Sequence, residues 1–231
     1  MRKILTILML LFTISLTSCK KEEETQLPIV VATIFPQYDI VRCLAGEFVE
    51  LHMAVLPGVD THNYDPSVSD MILVKKSALF IYTGDFMENW AKDIGAENSL
   101  DLSKISGMTL SNIEEKHEEH DHDHGIDPHI WTGPSNLKLM VQAISIKLQE
   151  ILPNRTEYIK AKEIAYIASI DKIINEMSKI KEQSAMTTFY FGTPFAMHYL
   201  FEEFGLKYES VYVTCSVEVD PSIDEIINMT N

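Results

Sequence analysis

From Arg155 to Glu182 the apolar residues Ile164, Ile167, Ile170, Ile174, Met177 and Ile180 recur at helical spacing, which predicts one unbroken 28-residue helix. At 1.5 Å per residue it is about 42 Å long, more than one small lobe needs. A helix that long can bridge two lobes and hold their separation nearly constant. Asn154 followed three residues later by Glu157 resembles a capping box at its start. A shorter helix precedes it, opened by Ser135, carrying Leu137, Met140, Val141, Ile144, Leu148 and Ile151 on one face, and stopped by Pro153.

Around these helices short β-rich runs alternate with amphipathic segments, the pattern of an α/β fold with mainly parallel sheets. Strands are predicted at Ile29 to Ile34, Phe48 to Leu56, Leu79 to Tyr82, Met186 to Phe191 and Lys207 to Thr214. Helices are predicted at Tyr38 to Ala45 before Gly46, from a start at Asp65-Pro66, at Phe86 to Ile94, and at Pro194 to Phe204 before Gly205. The expected organisation is a first lobe over 27–134, a helical section over 135–184 and a partial second lobe over 185–231.

The N-terminus reads as an export signal. Arg2 and Lys3 precede a thirteen-residue apolar run, Ile4 to Leu16, too short to span a bilayer. It ends in Leu16-Thr17-Ser18-Cys19, which resembles the bacterial lipoprotein signal, cut before a cysteine whose sulfur is lipidated. Residues 1–18 would then be removed, Cys19 would become the lipid anchor, and 19–26 would be a polar tether that cannot bury enough to fold. Removing two basic residues takes the net charge from −15 to −17, which argues against nucleic-acid binding and is compatible with attracting cations. Cys43 and Cys215 read as separate thiols, with no second Cys or His at metal-ligand spacing.

Two histidines stand in loops where an α/β lobe presents its ligand crevice. His62 lies in Pro57-Gly58-Val59-Asp60-Thr61-His62-Asn63-Tyr64-Asp65-Pro66, and His129 in Asp127-Pro128-His129-Ile130-Trp131. An imidazole braced by Asp, Pro and an aromatic can offer a neutral nitrogen to Zn²⁺ at about 2.0–2.1 Å. Between them His117, His120, His122 and His124 interleave with carboxylates within a loop over 114–125. Without an apolar residue to pack, that tract reads as an auxiliary low-affinity metal collector. A zinc hydrolase would need a general base beside an open coordination position, as in His-Glu-x-x-His, and the chain has no such motif.

These motifs, with Gly84-x-x-x-Glu88-Asn89-Trp90, Pro153-Asn154-x-x-x-Tyr158 and Asp220-Pro221-Ser222, resemble the zinc and manganese receptor proteins of bacterial ABC importers, often called cluster A-I. The resemblance runs from about Ile29 onward. It implies two α/β lobes joined by a rigid helix, with Zn²⁺ (alternatively Mn²⁺) held between them by two histidines of the first lobe and two ligands of the second. His62 and His129 match the first pair. It also implies a monomeric, non-enzymatic carrier in the cell envelope whose partners are the importer's permease and ATPase. The third-ligand position falls on Pro194, which cannot bind a metal, and His198, four residues on, is the candidate substitute. The fourth ligand belongs to a part of the family's second lobe that the sequence does not contain. A truncated or degenerate relative with weak metal binding, or a surface adhesion protein, is therefore the alternative expectation.

Overall fold

The computed structural model describes residues 26–112, 125–186, 188–212 and 227. The first sheet is fully parallel. Strands β1 (Ile29–Ala32), β2 (Glu50–Met53), β3 (Leu79–Tyr82) and β4 (Ser99–Asp101) lie in the order β2-β1-β3-β4. The chain runs from β1 outward to β2 and then crosses back to β3, so the order reverses between β1 and β3. At such a switch point the connections leave in opposite directions and open a crevice at the carboxyl ends of the strands.

Both faces of this sheet are covered, as parallel sheets require. Val30, Leu79 and Ile81 point into the larger core, beside Ile40, Val41 and Leu44 of helix α1 (Phe35–Ala45) and Met140, Val141, Ile144 and Leu148 of helix α4 (Pro134–Ile151). The alternate residues Val31, Phe80 and Tyr82 point the other way. They meet Val74 of helix α2 (Val68–Lys76) and Ile94 of helix α3 (Ala91–Ile94).

The long helix α5 (Thr156–Gln183) has the predicted 28 residues, shifted by one. Near its start the Tyr158 ring meets Phe48 edge-on at 5.1 Å, and farther along the Tyr166 hydroxyl donates to Asp39 at 3.2 Å. Near its other end Lys181 lies against Gly205, beside the second sheet. That sheet pairs β5 (Thr188–Phe191) with β6 (Lys207–Ser210), again in parallel. On it lies helix α6 (His198–Phe204), with Phe189, Phe191, Phe195, Phe201 and Tyr208 interlocked at centroid distances of 3.8 to 5.8 Å.

Several predicted elements change. The second strand is limited to Glu50–Met53, and β4 was not anticipated. Helix α1 begins at Phe35 because the Gln37 side chain accepts the Ile34 N–H at 2.8 Å and Pro36 sits in the first turn. Ser67, not Asp65, caps α2, through a reciprocal exchange with Asp70. The predicted helix over 86–94 shrinks to Ala91–Ile94, since Glu88 turns inward to accept backbone N–H groups. No side-chain cap forms at Asn154; a single 3₁₀ turn, Pro153–Arg155, leads into α5 instead. The helix predicted from Pro194 starts only at His198, the Phe195 ring before it being stacked on Tyr208. Ile164 and Ile180, expected on the packed face of α5, are 69% and 61% exposed.

Candidate metal site

The loop after β2 and the segment ahead of α4 meet outside the carboxyl ends of the first sheet. Val55, two residues past β2, packs with Ile34, just past β1, in a small apolar floor completed by Met87, Tyr64, Phe86 and Trp131. Beside it the rings of His62 and His129 meet edge-on with an interplanar angle of 63°, their centroids 5.5 Å apart. Two imidazoles on one tetrahedral Zn²⁺ with Zn–N of 2.0–2.1 Å would place their centroids about 5.2 Å apart. The observed spacing fits shared ligation.

Each histidine is held by an aspartate two residues earlier. Asp60 accepts the His62 backbone N–H at 3.0 Å and the Asn63 amide at 3.0 Å, which folds the loop on itself. Asp127 accepts both the backbone N–H of His129, at 2.9 Å, and ring Nδ1, at 2.8 Å. Asp127 and His129 are each only 7% exposed. In the neutral ring this contact puts the proton on Nδ1 and leaves the lone pair on Nε2, the arrangement by which carboxylates orient metal-binding imidazoles. Trp131 packs edge-on against the His129 ring at 5.3 Å.

Beneath the site, Glu88 bridges the two strands at the switch point. Its carboxylate accepts the hydroxyls of Thr33 and Thr83 at 2.5 and 2.9 Å and the N–H groups of Thr83 and Gly84 at 3.0 and 3.1 Å. Burial pushes its pKa above the ordinary carboxylate value, although these hydrogen bonds pull the other way. The Gly84-x-x-x-Glu88 motif is thus a structural brace across the carboxyl ends of β1 and β3.

His198 is not brought to this pair. Its Nδ1 lies 3.3 Å from the Tyr208 hydroxyl and its Nε2 3.6 Å from Glu202. It is the first residue of α6 and does not sit one turn inside a helix begun at Pro194. Among the described residues no group of three or more His, Cys, Asp or Glu side chains is gathered to hold a metal. Cys43 is a free thiol. Cys19, His117, His120, His122, His124, Cys215 and Asp220-Pro221-Ser222 lie outside the described residues. The pairing of Asp127 with His129 was legible only as proximity in sequence; its bond to Nδ1 needed the fold.

Known proteins are similar to this chain in sequence and in fold. It is 27% identical over 247 residues to the zinc-binding lipoprotein AdcA of Streptococcus pneumoniae, covering 100% of this chain and 48% of that one. It is 28% identical over 193 residues to the high-affinity zinc uptake system protein ZnuA of Bacillus subtilis, covering 77% of this chain and 59% of that one. The chain thus spans about half the length of these relatives. A Zn(II)-bound mutant variant of AdcAII from S. pneumoniae superposes with a TM-score of 0.73 at 24% identity, over 88% of this chain and 76% of that one, which shows a shared fold. Residues 30–231 match the family model described as zinc-uptake complex component A, periplasmic, and the chain belongs to that family.

Proposed function

We propose that this chain captures a transition metal outside the cytoplasm, Zn²⁺ before Mn²⁺, and passes it to the permease and ATPase of an ABC-type importer. The observation that carries this reading is the His62–His129 pair, 5.5 Å apart, with one ring oriented by a buried carboxylate. Imidazole donors favour zinc over manganese, which prefers oxygen ligands. The relatives named as zinc-binding and zinc-uptake proteins support the same cargo. With His62 and His129 as two of the four ligands zinc prefers, water, a moved His198 or another donor would complete the shell. A carrier suits this arrangement better than a hydrolase. Asp127, the carboxylate in contact with His129, is engaged by Nδ1 and is not placed as a general base for a metal-bound water. The four histidines at 117, 120, 122 and 124 would act as a weaker collector, and Cys19 as a lipid anchor holding a monomeric receptor at the membrane.

A calorimetric zinc titration of the full chain tests the site. His62→Ala and His129→Ala should each weaken the tightest phase tenfold or more, about 1.4 kcal/mol. Deleting 117–124 should remove only weaker additional stoichiometry. Equal tight-phase affinity in the double mutant and the parent overturns the assignment.

A further inference from the structure

Tyr199, in the first turn of α6, is 3% exposed, and its hydroxyl makes two bonds. It donates to the backbone carbonyl of Asp127 at 2.7 Å and accepts the backbone N–H of Ser111 at 3.2 Å. These two residues are themselves joined, the Asp127 N–H reaching the Ser111 carbonyl at 2.9 Å, and the next pair inward, Asn112 and Ile126, forms an antiparallel bridge. One hydroxyl from the second lobe therefore stitches both sides of a two-stranded stem in the first. A phenol has one proton to donate, and here it goes to Asp127. Burial, first among the causes, pushes the Tyr199 pKa up to about 12, so the proton is present across the physiological range. The ring is also closely seated: a Cβ added at Gly133, ahead of α4, would lie 3.0 Å from the Cβ of Tyr199.

The peptide that Tyr199 grips belongs to the same residue whose carboxylate binds Nδ1 of His129. Turning the Asp127 backbone would swing that carboxylate and release the ring. We infer that Tyr199 is a positioning residue for metal capture, by which the second lobe sets the orientation of His129 through Asp127. The inference rests on the metal reading above. Other bonds from α6 hold the same region without touching Asp127. Glu202 accepts the Ser111 hydroxyl at 2.8 Å, and Glu203 accepts the Ser135 N–H and hydroxyl at 2.9 and 2.7 Å. They supply a control in which the helix is loosened but the link to His129 is kept.

The test uses the full chain and two readouts: nitrogen NMR of the His129 ring without metal, and zinc affinity. The parent should show the Nδ1–H tautomer. Tyr199→Phe, which removes one oxygen, should give a tautomer mixture and about tenfold weaker zinc binding, whereas Ser111→Ala should leave both within about twofold of the parent. Parent-like tautomer and affinity in Tyr199→Phe overturn the inference, as does an equal shift in Ser111→Ala, which would mean general loosening. Should His129→Ala leave zinc affinity unchanged, the metal reading itself fails, and the tautomer ratio in metal-free Tyr199→Phe still decides whether the link to His129 exists.

Discussion

The carboxylate of Asp127 meets His129 twice, at the backbone N–H (2.9 Å) and at ring Nδ1 (2.8 Å). A single oxygen, Oδ1, takes both bonds, so the backbone N–H of His129 fixes the acceptor that orients its own ring.

Asp127→Asn should weaken zinc binding by about tenfold or more while leaving the fold intact, because a neutral amide oxygen in place of Oδ1 accepts from Nδ1–H more weakly than a carboxylate and no longer raises the basicity of the ring. A zinc titration beside a thermal melt checks this. Unchanged affinity would show that the carboxylate does not set the orientation of the ring.

Glu88 predicts a pH dependence of stability. Its folded pKa is raised, with burial the largest cause, so the folded state holds this proton more tightly than the unfolded chain. The contribution is most favourable below the unfolded value, about 4.3, and is lost as pH rises through the folded value. The stability of the parent minus that of Glu88→Gln, from urea melts between pH 4 and 8, should fall with rising pH and then level off. A difference that grows with pH would contradict the direction of the shift. Glu88→Ala, which leaves four donors without their acceptor, should lose about 3 kcal/mol or more.

Gly84 approaches its neighbours too closely to carry a side chain. A Cβ there would lie 2.8 Å from the Phe86 ring and 2.8 Å from both Cβ and Oγ of Ser103. Gly84→Ala should cost about 1–3 kcal/mol by overpacking, measured by chemical denaturation. It should also weaken zinc binding, since Gly84 N–H and Phe86 belong to the brace and floor beneath the histidines.

Cys19→Ala should leave the protein unlipidated and free of membranes, as the Leu16-to-Cys19 motif implies. Metabolic labelling with a fatty acid and membrane fractionation read this out. Continued lipid incorporation by the variant would disprove the anchor.

What local sequence encodes was readable in advance where one periodicity dominates. Leu79 to Tyr82 is an apolar run buried on both faces and legible to the residue, and α5 has the expected length because apolar residues recur at helical spacing and no Pro or Gly interrupts the chain between Arg155 and Glu182. His62 and His129 were legible because their loops combine turn residues, carboxylates and aromatics in a pattern shared with a known family. Other features depend on partners far away in the chain. Whether Glu88 continues a helix or turns inward depends on Thr33, 55 residues earlier, whose hydroxyl it accepts at 2.5 Å. The short strand β4 exists because β3 offers an edge to pair with. His198 stands four residues past Pro194 in sequence, but Phe195 is stacked on Tyr208, α6 starts only at His198, and its ring lies near Tyr208 and Glu202. The link from Tyr199 to Asp127 spans 72 residues and two lobes. Helical period and turn chemistry act over a few residues and are written locally, whereas the orientation of a ligand ring is decided by hydrogen bonds that exist only after the distant elements have packed.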